Sequence, residues 1–424
     1  MNDKFHLDMT EATRLTRAGR LAEATALLQA LHRSGTAPSV TSGTSGAPAG
    51  RLSSVIDLVP QTIETADFQP FSPTGQTFDA DAGDGPAGRT AQPPMPEALR
   101  SFLDRVGRLG PELGNGLIKP CPAHAPDPVP DGARFLEGSY SNQAGSRAYK
   151  LYVPSGYQGQ AVPLVVMLHG CTQSPDDFAA GTRMNTLAEE HVCLVLYPAQ
   201  AGSANAQKCW NWFSPGDQQR GQGEPSLIAG ITRQIMRDYK VDPQRVYVAG
   251  LSAGGAAAAI MGTAYPDLYA AVGVHSGLAC GAASDLPSAF AAMRQGEPAA
   301  MRRSGNASVP TIVFHGDRDT TVNPRNGDQV VAQAKATTAM NLQTSVQHGQ
   351  VVGGHAYSRT LHANETGQTI LEQWVIHGAG HAWSGGSPAG SYTDPRGPDA
   401  SREMLRFFLE HSHSLAAGRG ASQS

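Results

Sequence analysis

The run Gly250-Leu251-Ser252-Ala253-Gly254 constrains the fold more than any other part of the chain. It follows the apolar stretch Arg245-Val246-Tyr247-Val248-Ala249 and precedes small residues from Ala256 to Ile260 that suit a helix. A G-x-S-x-G at a strand-to-helix corner is the pattern of a nucleophile elbow. The turn is so tight that the positions two before and two after the serine must lack side chains, and the hydroxyl is pushed out at the top of the sheet. The chain has 48 glycines, so the bare pattern also arises by chance. Its placement and its downstream partners have to decide.

From about residue 131 to 412, apolar strand candidates alternate with helical ones. Strands fit residues 134–140, 147–153, 163–168, 192–197, 245–249, 270–275, 311–315 and 369–377, and helices fit 226–239, 255–265, 326–339 and 401–411. A short turn joins the first two strands, whereas helix-length crossovers separate the later ones. The expected class is α/β: a mostly parallel central sheet with helices on both faces and an antiparallel start. Sites in such sheets lie beyond the carboxyl ends of the strands.

Residues 1–34 read as a helical hairpin broken at Gly19, with Leu15, Leu21, Ala24, Leu28 and Leu31 on one stripe. It looks like one tetratricopeptide unit, and arrays of these need about three repeats, so a docking hairpin is expected. In residues 35–97, Gly and Pro supply 17 of 63 positions, and seven acidic residues face two basic ones. That composition predicts a disordered linker. Residues 98–130 are expected as an amphipathic helix and connector, with Leu99, Phe102, Leu103, Val106 and Leu109 on one side. This helix either packs on the catalytic domain or touches a granule or polymer surface, and both readings stand. Residues 413–424 are a tail.

A net charge of −4 without a Lys/Arg stripe argues against nucleic acid as a partner. No run of about 18 apolar residues occurs, so no transmembrane segment is expected. The polar N-terminus has no apolar core of a secretory signal, which favours the cytoplasm. Cysteines 121, 171, 193, 209 and 280 have no zinc-type spacing. In a cytoplasm they would mostly be thiols, and Cys193, in an apolar run, is expected to be a buried hydrophobe.

The chemistry is carried by three loops that follow three strands. Ser252 follows the 245–249 strand, His315-Gly316-Asp317-Arg318-Asp319 follows the next but one, and His377-Gly378-Ala379-Gly380-His381 follows the last. The order Ser, Asp, His is the α/β-hydrolase order. A serine hydroxyl needs an imidazole to take its proton, and the imidazole needs a carboxylate to fix its tautomer. Asp319 in H-G-x-x-D-x-x-V is preferred over Asp317. His381 in its glycine-rich loop is preferred over His377, which is expected to have a structural hydrogen bond. His275 is expected to be a satisfied core or rim histidine. The loop His169-Gly170-Cys171-Thr172-Gln173 should supply an oxyanion hole, with donors at Cys171 and Ala253. Cys171 lacks a base that would make it a nucleophile.

Cys209-Trp210-Asn211-Trp212-Phe213 places two of the four tryptophans in one loop. The loop is either a core plug or an aromatic wall for an acyl or phenolic group, with Trp210, Trp212 and, opposite, Trp383 as substrate-binding residues. Cys171 and Cys209 both fall near the site mouth. Whether they form a disulfide is left open, since that needs an oxidising compartment.

Together, Leu168-His169-Gly170-Cys171-Thr172-Gln173, the CWNWF run, Gly250–Gly255, His275-Ser276-Gly277-Leu278, the HGDRD segment and Gly380-His381-Ala382-Trp383 resemble the polyhydroxybutyrate depolymerase family of esterases. That family also includes bacterial feruloyl and acetylxylan esterases. The resemblance covers about residues 130–412. It implies an α/β-hydrolase fold, a serine esterase with Ser252, Asp319 and His381 as its triad, and no metal or organic cofactor. The expected substrate is a hydroxyalkanoate oligomer or polymer, or a small acyl or aryl ester. Feruloyl or acetylxylan esterase activity is the alternative within the family, and an acyltransferase or thioesterase would use the same triad. An alternative of another class is a non-catalytic relative that binds a granule or partner through residues 1–110.

Overall fold

The structure is a computed structural model that describes residues 129–296, 309–338 and 340–413. The helical hairpin, linker and amphipathic helix expected before residue 129 lie outside the described residues.

One ten-stranded sheet organises this part of the chain, in the order β1-β2-β4-β3-β5-β6-β7-β10-β9-β8. Its strands are β1 (Arg134–Asn142), β2 (Gly145–Val153), β3 (Val162–Leu168), β4 (Leu194–Pro198), β5 (Val241–Leu251), β6 (Ala271–His275), β7 (Thr311–Gly316), β8 (Gln343–Gln350), β9 (Ala356–Ala363) and β10 (Thr369–Ile376). The central strands β4, β3, β5, β6, β7 and β10 run parallel, while β1 and β2 at one edge and β9 and β8 at the other pair antiparallel. Parallel strands need helical crossovers, which cover both sheet faces, so β3, β4, β6 and β7 are buried along their whole length. This is the α/β-hydrolase arrangement.

The strand period of two builds two cores. On β3, Leu164, Val166 and Leu168 face one apolar layer, and Val165 and Met167 face the other. The first layer is closed by α3 (Gly223–Asp238), α4 (Ala253–Ala264), α5 (Leu286–Gln295) and α6 (Arg325–Thr337). The second is closed by α1 (Pro175–Thr182), α2 (Met184–His191) and α7 (Ala400–Leu409), where Phe407 and Phe408 are fully buried. Cys193 is buried in this layer, and burial pushes its thiol up to about 12.

Some elements were not expected from the sequence. The β8–β9 hairpin extends the sheet with β8 largely exposed and β9 only partly buried, so neither strand has an alternation of buried and exposed residues to detect. Helices α1 and α5 are short, yet each begins with a readable signal. Ser174 caps α1 by accepting from Asp177 N–H, and Asp285 and Ser288 form a capping box at α5, with Pro175 and Pro287 in the first turns.

Candidate active site

The corner between β5 and α4 is sterically exclusive. Ser252 has φ 57° and ψ −119°, a region that a residue with a side chain rarely occupies. A Cβ on Gly250 would lie 2.3 Å from the Gly254 carbonyl, and one on Gly254 would lie 2.0 Å from the Leu168 carbonyl oxygen. Neither position can hold any other residue without moving backbone. The Ser252 N–H donates to the His275 carbonyl at 2.9 Å, which ties the corner to β6. Ala253 opens α4, so its N–H belongs to the first turn, which has no intrahelical acceptor.

Asp319, in the loop after β7, is buried. Its Oδ1 accepts from the N–H groups of Thr321 (2.9 Å) and Val322 (2.8 Å), and its Oδ2 accepts from His381 Nδ1 at 2.7 Å. Burial alone would raise its pKa, but the imidazoles of His381 and His315 and these bonds hold it well below the usual carboxylate range. With Nδ1–H given to Asp319, the His381 Nε2 is left as an acceptor. His315 Nε2 lies 3.3 Å from Asp319 Oδ2 and 2.9 Å from the Val322 carbonyl, and so braces the same loop.

The rival pair forms separately. Asp317 Oδ2 lies 2.9 Å from His377 Nδ1 and Asp317 Oδ1 accepts from Gly378 N–H, while His377 Nε2 meets the Ser358 hydroxyl at 2.8 Å. His275 is fully buried, stacks between Phe314 and Trp383, and accepts the Ser384 N–H at Nε2 (3.0 Å). Burial drives its pKa well below the ordinary value, so it is neutral.

The loop after β3 abuts the serine. A Cβ on Gly170 would stand 3.7 Å from Ser252 Cβ. Gly170 N–H donates to Gln173 Oε1 (2.9 Å), and Gln173 Nε2 donates to Asp177 Oδ2 (2.9 Å) and to the Ser391 carbonyl (3.1 Å). Cys171 and Cys209 form a disulfide, and Thr172 N–H donates to the Gln207 carbonyl at 2.6 Å. The oxyanion-loop candidate is therefore bound covalently to the aromatic loop.

A cavity of about 300 Å³ opens over these groups. Ser252, His381, Cys171 and Ala253 line it together. Its walls come from Trp212, Phe213 and Tyr392 and from Leu286, Ala289, Phe290 and Met293 of α5. Among the described residues, no Asp, Glu, Lys or Arg side chain lines it.

Two expected substrate-binding residues are corrected. Trp210 and Trp383 are not in the cavity wall: both are buried and spend their indole N–H groups internally. Trp210 Nε1 donates to the His169 carbonyl (3.1 Å), and Trp383 Nε1 donates to Ser401 Oγ (3.0 Å) with its ring against Phe178 and His275. Each ring finds a buried space behind its loop with an acceptor for its indole N–H, the His169 carbonyl for Trp210 and Ser401 Oγ for Trp383. The α5 wall was missed, although Leu286, Ala289, Phe290 and Met293 fall at i, i+3, i+4 and i+7, a helical stripe visible in the sequence.

Among the described residues, no group of three or more His, Cys, Asp or Glu side chains is placed to hold a metal ion, and no helix is long and apolar enough to cross a membrane.

Residues 147–348 match the model of the esterase PHB depolymerase family. Poly(3-hydroxyalkanoate) depolymerase C of Paucimonas lemoignei is 36% identical over 241 residues, which are 54% of this chain and 57% of that protein. Poly(3-hydroxybutyrate) depolymerase of Ralstonia pickettii is 25% identical over 62% of this chain and 56% of its own length. Feruloyl esterase B of Neurospora crassa is 26% identical over 63% of this chain and 89% of its own length. The chain thus spans little more than half the length of the two depolymerases. Over residues 147–348 this chain is therefore similar to the esterase PHB depolymerase family.

Proposed function

We propose that the chain is a serine carboxylic-ester hydrolase that works through an acyl-enzyme. Ser252 Oγ attacks the ester carbonyl while His381 Nε2 takes its proton. Asp319 holds the imidazole in the Nδ1–H tautomer and offsets its charge. The amides of Cys171 and Ala253 hold the developing oxyanion, each donor contributing about 3 kcal/mol to the transition state. His381 then protonates the leaving alcohol, and water repeats the sequence to release the acid.

The observation that carries this reading is the 2.7 Å Asp319–His381 bond within the cavity that also presents Ser252 from a strained corner. A non-catalytic relative has no need to keep such a buried pair and such a backbone. The uncharged, largely apolar wall supports a neutral ester with an apolar acyl group. A hydroxyalkanoate oligomer or polymer fits that description, and feruloyl or acetylxylan ester is the alternative that the relatives' names support. Contact of residues 1–110 with a granule or polymer surface belongs to the same proposal.

Two measurements test it. Ser252→Ala should abolish hydrolysis of p-nitrophenyl butyrate while leaving the circular dichroism spectrum intact, and unchanged turnover would sink the mechanism. A panel of hydroxybutyrate oligomers, methyl ferulate and acetylated xylan then ranks the substrates by kcat/KM.

A further inference from the structure

A buried carboxylate sits behind the cavity rim and takes no part in the mechanism above. Glu224, in the first turn of α3, is 5% exposed and meets donors from three other segments. Its Oε2 accepts from the Asn211 backbone N–H at 2.7 Å. Its Oε1 accepts from Asn211 Nδ2 (2.8 Å), from Gln200 Nε2 and, at 3.5 Å, from Arg147 Nη2. Gln200 passes the connection on: its Nε2 donates to the Cys209 carbonyl (2.9 Å), and its backbone N–H donates to His169 Nε2 (3.0 Å). His169 in turn gives its Nδ1–H to the Gly170 carbonyl at 2.8 Å. One carboxylate therefore anchors both halves of the disulfide-joined rim, Asn211 directly and Cys209 and His169 through Gln200.

Burying an ion usually costs more stability than a well-packed apolar group would, so the retained charge calls for a reason. A carboxylate offers two oxygens with about four acceptor sites, which no neutral side chain matches. We infer that Glu224 is a positioning residue for the proposed hydrolysis, holding the Cys171 amide and the Trp212 wall in register with Ser252. The inference rests on the esterase reading of that serine.

The charges that face Glu224 are Arg147 from β2, which favours its ionised form, and Asp217, which disfavours it and whose Oδ1 accepts the Glu224 N–H at 2.8 Å. Burial, then Asp217, push the Glu224 pKa up to about 7 against the bonds from Gln200, Asn211 and Arg147. Every side-chain partner is a donor, so a proton on Glu224 finds no acceptor and breaks the anchor. The rim should loosen as pH falls through about 7.

The test uses the full-length protein with p-nitrophenyl butyrate and the variants Glu224→Gln and Glu224→Asp. Glu224→Gln should lower kcat at least tenfold while KM shifts less than threefold. In the wild type the acid limb of log(kcat/KM) should be steeper than in Glu224→Gln by about one unit of slope, the proton taken up by Glu224. Glu224→Asp should return the slope toward that of the wild type. Independently of activity, dithiothreitol should open Cys171–Cys209 faster in Glu224→Gln, read by alkylation and mass spectrometry. Equal acid-limb slopes in the wild type and Glu224→Gln, or an unchanged kcat in Glu224→Gln, overturn the inference even if neither variant affects folding. Ser252-dependent turnover with a silent Glu224→Gln overturns this inference alone, whereas no Ser252-dependent turnover in the wild type overturns the esterase reading as well.

Discussion

Asp319 Oδ2 and His381 Nδ1 lie 2.7 Å apart although 62 residues separate them. Between them the chain builds α6 and the β8–β9 hairpin before β10 returns beside β7 in parallel register, with Ile376 opposite Gly316. That register sets both loops at the same end of the sheet. The neighbouring Asp317–His377 pair uses the same register, but it is half exposed and its histidine is bonded to Ser358.

The two pairs give the first prediction. Asp319→Asn should reduce kcat/KM by about four orders of magnitude, since an amide stabilises the wrong tautomer and cannot offset an imidazolium. Asp317→Asn should cost less than tenfold. Steady-state kinetics on a soluble ester decide between them, and the reverse ranking would transfer the proposed acid role to Asp317.

Wall and core tryptophans should separate kinetically. Trp212→Ala should raise KM for aryl and butyryl esters, because it removes part of the cavity wall. Trp383→Ala should instead lower stability by about 3–5 kcal/mol, the range for truncating a buried aromatic ring, with a smaller change in KM. Urea unfolding and KM measured on both variants check this.

The elbow glycines should tolerate no side chain. Gly254→Ala would place a methyl 2.0 Å from the Leu168 carbonyl oxygen, so backbone must shift. A loss of about 3 kcal/mol or more is expected, at the upper end for overpacking. At Gly202 a Cβ has nothing within 4 Å, and Gly202→Ala should leave the unfolding midpoint unchanged. Equal midpoints for the two variants would contradict the steric account.

His169 makes stability depend on pH. It is buried, its Nε2 accepts from Gln200, and burial lowers its pKa to about 4 from an ordinary 6.5. The folded state thus resists protonation that the unfolded chain accepts. Stability from this group is fully present above about pH 6.5 and declines as pH falls toward 4, by about 3 kcal/mol in all. Urea titrations from pH 7 to 4 should show that loss in the wild type and a shallower one in His169→Gln. Parallel pH dependences would show that His169 is not its source.

The sequence alone determined the parallel core and the elbow, because both rest on local rules. Apolar runs separated by helix-length crossovers require mostly parallel strands, though not their order, and a corner that forbids Cβ atoms announces itself as glycine at two fixed offsets. The capping signals at Ser174 and Asp285 were equally local. What it did not determine follows from packing. The β8–β9 hairpin is exposed on β8 and only partly buried on β9, so no buried alternation marks it. Trp210, Trp212 and Trp383 are alike as residues, yet only Trp212 lines the cavity, because the difference lies in which apolar space each ring finds after the loops close. The Cys171–Cys209 bond and the Glu224 anchor are decided only when Gln200, Asn211 and His169 converge from separate segments. Ser252 became a candidate from five residues, their strand and the downstream Asp and His loops, but the rim that frames it had to wait for the fold.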